Sequence, residues 1–330
     1  MPKAKLARER LQQLLDLVET RRPRIAVLGD AMLDLYLRGD VERISPEAPV
    51  PIVRVRDRKY ALGGAANVAQ NVLAIGARCE LVSVVGRDSA GAQLREMLTE
   101  RGAESRGLVD GDRPTTTKTR VVARSQQVVR LDEEVDADLS GDEITRVLDA
   151  VRRALEAADA LVLEDYNKGV LVPSVIRAAM DAARERDLPI VVDPKFRNFF
   201  AFAGSTIFKP NRRELESALG AAVELGDLAA LPNVLERLDT QHLLLTLSEQ
   251  GMALLGRDGS LERIPTTARE VFDVVGAGDT VTAYLATMLA VGASPLEAAI
   301  IANYAAGVEV GKAGAATVAP EEVLAAYDGH

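Results

Sequence analysis

Apolar positions along this chain fall into two spacings, and their alternation predicts the architecture. RIAVLGD from Arg24, CELVSVVG from Cys79, ALVLEDY from Ala160, PIVVDP from Pro189, TIFKPN from Thr206 and HLLLTLSEQG from His242 each have the length of a buried strand. Most are followed by a stretch with helical periodicity. Alternation of this kind predicts an α/β fold, a mostly parallel sheet with helices on both faces, with ligands collecting at the carboxyl ends of the strands. Asp30, Asp165, Asp193, Asn211 and Thr246 fall at those ends.

Helix signals sharpen this outline. Leu11, Leu14, Leu15 and Val18 share one face of a docking or capping helix within Met1 to Arg24. Ser140 to Glu143 and Ser294 to Glu297 have capping-box spacing, the second with Pro295 at the first helical position, and Gly311 is placed to end that helix. Two segments break the alternation: Leu35–Tyr60 and Leu108–Asp132 carry β-type residues without an intervening helix. Neither buries a sheet alone, so they are expected to join as antiparallel strands of a small β lid over the larger body. The lid's outer face would be covered in a homodimer. No repeat or long flexible linker interrupts the chain, so residues 1–330 read as one domain.

Composition removes several classes of function. A net charge of −9 supplies no basic field for nucleic acid, and no apolar run approaches the roughly 18 residues of a membrane span. The lone Cys79 forms no internal disulfide and the basic N-terminus lacks an apolar signal region, which points to the cytoplasm. With His242 and His330 the only histidines, neither a paired-His zinc site nor the protein-kinase catalytic loop can be built. GVEVGKA from Gly307 to Ala313 misses a P-loop: three residues separate its glycines and Ala313 stands where a magnesium-binding hydroxyl belongs. Val281 likewise breaks a dinucleotide fingerprint begun by Gly276 and Gly278.

The strongest chemical signal is VFDVVGAGDTVTAYLATML, Val271 to Leu289. Val281, Tyr284, Leu285, Met288 and Leu289 recur at helical spacing, which places Gly276, Ala277 and Gly278 at a helix N-terminus with free N–H groups. Such a turn attracts an anion. Asp279 adds a carboxylate beside it, a better proton acceptor than phosphate ligand, so the pair points to phosphoryl transfer onto a hydroxyl.

Other candidates carry a structural reading beside the functional one. Gly63 and Gly64 with Asn67 either let a ligand approach closely or make a tight turn. Asp34 either accepts from sugar hydroxyls or is an ordinary loop acid. Asn211 and Glu214 have capping-box spacing, or face nucleotide phosphates and the waters of Mg²⁺. Thr246, Ser248 and Gly251 offer hydroxyls and N–H groups to a phosphate, or form a turn. Lys118, Arg120, Arg124 and Arg130 guard a sheet edge, or one or two of them grip a substrate phosphate. Lys168 and Lys195, just past strands, are further cationic candidates, and Asp165 is placed to orient the sugar or a lysine.

GGAAN at Gly63, DPK at Asp193, KPNRRE at Lys209, TLSEQG at Thr246 and DVVGAGDT at Asp273 together resemble the ribokinase or PfkB-type carbohydrate kinases, in matching order across nearly the whole chain. Within that family, Gly29 to Val55 and TKTRVVARSQQVVRLD resemble the kinases of D-glycero-β-D-manno-heptose 7-phosphate in the ADP-heptose pathway of lipopolysaccharide core synthesis. The resemblance implies ATP and Mg²⁺ as cofactors, Asp279 as base and Gly276 to Gly278 as anion hole. It implies that Asp34, Gly63, Gly64 and Asn67 hold the sugar, and that Asn211 and Glu214 serve Mg-ATP, with Glu214 reaching the metal through water. Thr246, Ser248 and Gly251 would line the phosphates, Asn303 would approach the adenine, and a monovalent cation would lie near Asp273. Relatives that are bifunctional carry a nucleotidyltransferase domain after the kinase; none follows before His330, so that step is expected of another protein. The expected reaction is transfer to O1, giving the 1,7-bisphosphate. Two rivals remain: a kinase of the same fold for another sugar, and a nonenzymatic phosphosugar sensor.

Overall fold

The computed structural model describes residues 6–124, 126–223 and 231–329; Met1 to Lys5 of the N-terminal segment, Ser125, Glu224 to Ala230 and His330 lie outside them. The first half runs α1 (Arg8–Arg21), β1 (Arg24–Gly29), β2 (Ala31–Ile44), β3 (Pro51–Gly64), α2 (Ala65–Ala74), β4 (Arg78–Gly86), α3 (Ser89–Glu100), β5 (Leu108–Gly111), β6 (Thr117–Ala123), β7 (Gln126–Glu133) and α4 (Gly141–Leu155). It continues as β8 (Ala160–Glu164), α5 (Pro173–Arg184), β9 (Ile190–Asp193), β10 (Ile207–Phe208), α6 (Arg212–Leu219), α7 (Leu231–Leu238) and β11 (His242–Thr246). Last come β12 (Met252–Gly256), β13 (Leu261–Ile264), α8 (Ala277–Ala290), α9 (Pro295–Glu309) and α10 (Pro320–Asp328).

Alternation along each central strand builds two cores. Val27, Val162, Val191, Ile207 and Leu244 face one side of the sheet, against α1, α2, α3, α8, α9 and α10. Ala26, Leu28, Leu161, Leu163, Val192 and Phe208 face the other, against α4, α5, α6 and α7. Burial on both faces explains why these strands read as continuous apolar runs. The nine-stranded sheet has the order β13-β12-β11-β10-β9-β8-β1-β4-β5, parallel except for β12, which pairs antiparallel with both β11 and β13. All six runs expected as buried strands lie in it. The carboxyl ends of β1, β8, β9, β10 and β11 therefore share one edge, and α8 opens against it.

The four-stranded sheet, ordered β3-β2-β6-β7, forms the lid. Its composition differs from expectation in two respects. Leu108–Gly111 is not a lid strand: β5 pairs parallel with β4 in the large sheet, burying Leu108 and Val109. The lid is also not wholly antiparallel, since β2 and β6 run parallel while β2–β3 and β6–β7 are antiparallel. The crossover from β3 to β6 through the body makes that parallel pairing possible.

Helix starts follow local chemistry. Ser294 and Glu297 form the expected capping box, as do Asn211 and Glu214. Ser140 stands at the N-cap of α4, but its side chain makes no capping bond. Glu143 instead accepts from the backbone N–H of Asp112 at 3.2 Å, tying α4 to the segment after β5. Leu11, Leu14, Leu15 and Val18 are all buried on α1, as their spacing predicts. No helix among the described residues is long and apolar enough to cross a membrane.

Candidate active site

The N-cap of α8 is Gly276, in the left-handed region at φ 97°, and no side chain caps the helix. Its first turn faces a cavity of about 530 Å³ that Gly276, Ala277, Gly278 and Asp279 help to line. The uncapped N–H groups and the helix dipole suit that turn to an anion. Asp279 is only 5% exposed. Asn67 Nδ2 donates to Asp279 Oδ2 at 2.5 Å and Tyr166 Oη donates to Oδ1 at 2.9 Å, so both oxygens are oriented. Burial pushes the carboxyl up to about 6, against the two hydrogen bonds, with the nearby Asp193 charge adding to the rise. A carboxylate in that range is a competent base near neutral pH. The expected result is that kcat/KM falls about tenfold per pH unit below roughly 6, because the base must be ionised in the free enzyme. A pH–rate profile flat down to about 4.5 would remove Asp279 from that role.

α2 holds Asn67 in place. Gln70 Nε2 donates to Asn67 Oδ1 at 2.5 Å, and Asn71 Nδ2 donates to the Asn67 carbonyl at 2.9 Å. Thr280 Oγ1 donates to Asn71 Oδ1 at 3.1 Å, closing a buried polar seam between α2 and α8. The two glycines before α2 are required by close approach. A Cβ on Gly63 would lie 2.8 Å from Asp34 Oδ2, and one on Gly64, at φ +55°, would lie 2.4 Å from the Asp30 carbonyl. Asp30 is structural: its carboxylate accepts from the backbone N–H groups of Tyr166, Lys168 and Val170 and so shapes the segment after β8.

On the lid side, the buried Asp34 pairs with Arg120, whose guanidinium also lies over the Tyr36 ring at 5.3 Å. Lys118 and Lys168 converge on one carboxylate: Glu134 lies 3.1 Å from Lys118 Nζ and 2.8 Å from Lys168 Nζ. Arg124 is not brought to this region. It sits at φ 56° between β6 and β7, beside Gly39, at the lid's far tip.

The cavity's other walls bring together the remaining candidates. Asn211, Glu214, Thr246, Ser248, Gly251 and Asn303 all line it. Glu214 is doubly engaged: Oε2 accepts from the Asn211 N–H at 2.8 Å and Oε1 pairs with Lys195. Lys195 Nζ also lies 5.0 Å from the centre of the Tyr166 ring, and neighbouring carboxylates hold its pKa up despite burial. Asn303 Nδ2 donates to the Pro265 carbonyl at 2.9 Å. Asp165 Oδ1 accepts from the Asn167 N–H at 2.8 Å, and burial pushes its carboxyl up to about 7. Lys209 and Asp193, both buried, form an ion pair of 2.8 Å on the cavity floor.

Asp273 accepts from the N–H groups of Val275 and Gly314, both at 3.1 Å. Near it Glu309 is fully buried, and burial with the Asp273 charge raises it to about 8, against the backbone N–H of Ala316. Tyr166 carries no sequence signal of its own, unlike Asp165 and Lys168 beside it. Its hydroxyl meets a carboxylate 113 residues away, a pairing that no local pattern encodes.

A mostly parallel sheet with a β lid, and a carboxylate at an uncapped helix turn, define a phosphotransferase of the carbohydrate-kinase class. The chain belongs to the pfkB family carbohydrate kinases, whose family model matches residues 22–322. It is 46% identical over 308 residues to the bifunctional protein HldE of Rhodospirillum rubrum, covering 92% of this chain and 62% of that protein. Identity is also 46% over 303 residues with the bifunctional protein HldE of Pelobacter propionicus, covering 90% and 62%. The chain thus spans less than two thirds of the length of these relatives. Its fold is similar to Escherichia coli phosphofructokinase-2 in complex with potassium, with a TM-score of 0.77 at 18% identity, covering 93% of this chain and 98% of that one. Arabidopsis thaliana ribokinase complexed with ribose and ATP gives 0.72 at 20% identity, covering 92% and 98%.

Proposed function

We propose that this kinase transfers the γ-phosphoryl group of ATP to O1 of D-glycero-D-manno-heptose 7-phosphate, giving the 1,7-bisphosphate. The observation that carries the phosphotransfer is the Asp279 carboxylate, buried and held by two donors at the uncapped N-terminus of α8. Asp279 takes the proton of the sugar hydroxyl, and the N–H groups of Gly276 to Gly278 receive the charge that develops on the phosphoryl oxygens. Positioning carries most of the rate, since the transition state is loose. Asp34, Gly63, Gly64 and Asn67 bound the sugar side, Asn67 acting through Asp279. Thr246, Ser248 and Gly251 line the phosphate channel, Asn303 the adenine end, and Lys195 the floor between them, while Asp165 acts from behind that floor.

Mg²⁺, when bound with ATP, neutralises phosphate charge. Glu214 suits contact through water, because both its oxygens already have protein partners. Asp273, on the segment before α8, is the candidate to hold a monovalent cation. The apolar lid residues Ile44, Tyr60, Val129 and Leu131 are exposed, which supports a homodimer through the lid.

For the second phosphate we assign Lys118 and Lys168, two ammonium groups now sharing the Glu134 carboxylate, which an incoming phosphate would replace. Arg124 enters that clamp only if the lid rearranges or a partner's lid supplies it. The test compares phosphorylated with unphosphorylated heptose. Lys118→Ala is expected to raise KM for the 7-phosphate about 10-fold or more while leaving KM for ATP unchanged. Equal effects on both sugars would remove the clamp from the account.

A further inference from the structure

Glu164 ends β8 directly beneath the proposed base, and nothing in the mechanism above uses it. It is fully buried, and neither of its oxygens has a hydrogen-bond partner. One carboxylate oxygen each from Glu164, Asp193 and Asp279 lies within 4.8 Å of the others. Of the acids around the cavity floor, Asp193 has the Lys209 ammonium, Glu214 has Lys195, and Asp279 has the donors Asn67 and Tyr166. Glu164 has neither cation nor donor. A bare carboxylate so placed is costly, and the ordinary escape is to keep its proton.

A protonated carboxyl is a hydrogen-bond donor, and the acceptors that face Glu164 are the two aspartates. We propose that Glu164 is a neutral acid and a positioning residue, whose O–H faces the carboxylates of Asp193 and Asp279 and holds Asp279 ionised and oriented for proton transfer. The charged and titratable groups around it agree. Burial first, and then the charges of Asp193 from β9 and Asp279 from α8, raise the glutamate's pKa well above its ordinary value; Lys209 and Lys195 oppose them less strongly. The Tyr166 hydroxyl is committed to Asp279, and Asp30, after β1, is turned to backbone N–H groups. Because Glu164 is sealed from solvent, substrate does not touch it. It acts through its neighbours.

The kinetic part of this proposal rests on Asp279 being the base; the protonation state does not, so the two are measured separately. Infrared difference spectroscopy of wild-type protein against E164Q near neutral pH is expected to show the carbonyl stretch of one protonated carboxylic acid lost in the variant. Absence of that band overturns the proposal whatever the enzyme's substrate. In pH–rate profiles E164Q, which keeps a donor, is expected to hold the acid limb of kcat/KM within a few tenths of a unit. E164L, which lacks one, is expected to move the limb up by about one unit. A downward move in E164Q would mean that the native glutamate is charged, and an unmoved limb in E164L would mean that it positions nothing; either overturns the assignment. If E164L does not fold, the band and the E164Q profile still decide it.

Discussion

Replacing Asp279 by Asn is expected to lower kcat by about 10²- to 10⁴-fold while ATP affinity stays within about twofold. Asn has nearly the same shape, so the carbonyl oxygen can still accept from Asn67 or Tyr166, and the seam between α2 and α8 persists. What disappears is the proton acceptor. On the proposed reading ATP binds through the opposite walls of the cavity and the helix turn, whose N–H groups the substitution does not alter. The loss should therefore appear in kcat and in kcat/KM for the sugar, with nucleotide binding, measured by calorimetry, preserved. Turnover within a few-fold of wild type would assign the proton to water or to the phosphate itself.

Lys209→Met is expected to cost about 3–5 kcal/mol of stability, the largest effect on folding proposed for the site. Lys209 and Asp193 are 3% and 5% exposed, and their ion pair is 2.8 Å long. Met fills much of the same volume but leaves Asp193 without its cation, close to Glu164 and Asp279. Unlike a surface pair, this one is too well sealed for solvent to make up the loss. Denaturant unfolding measures it, and the double variant with Asp193→Asn should regain at least half of it, because the stranded charge is gone. A single-variant loss below about 1 kcal/mol would show that the pair is replaceable at no great cost.

Much of this fold is legible because burial leaves a mark on local sequence. The strands β1, β4, β8, β9, β10 and β11 are covered on both faces and so read as apolar runs, and α1 reveals itself through Leu11, Leu14, Leu15 and Val18. Pairing partners leave no such mark. Four residues at Leu108–Gly111 fit either sheet, and only β4's open edge decides that they join the body. The helix turn at Gly276 and the Asp279 carboxylate beside it were legible, since their pattern is local. The surroundings of that carboxylate were not: Tyr166 and Arg120 enter through contacts with Asp279 and Asp34, 113 and 86 residues away. Arg124 and Arg120 look equivalent on the strand, yet the turn that follows sends one to the lid tip and leaves the other beside Tyr36. Glu164 stands where the pattern of ALVLE predicts strand-end burial, and burial alone does not reveal that its carboxylate meets two others.

The central claim is that this kinase phosphorylates O1 of a heptose 7-phosphate. Incubation of the protein with Mg-ATP and a panel of heptose, hexose and pentose phosphates, followed by phosphorus NMR, tests activity, substrate and position in one experiment. The account predicts a new anomeric phosphate resonance from D-glycero-D-manno-heptose 7-phosphate, with the original phosphate retained and ADP formed in equal amount. No product from that sugar, or preferential turnover of a hexose or pentose phosphate, would contradict it.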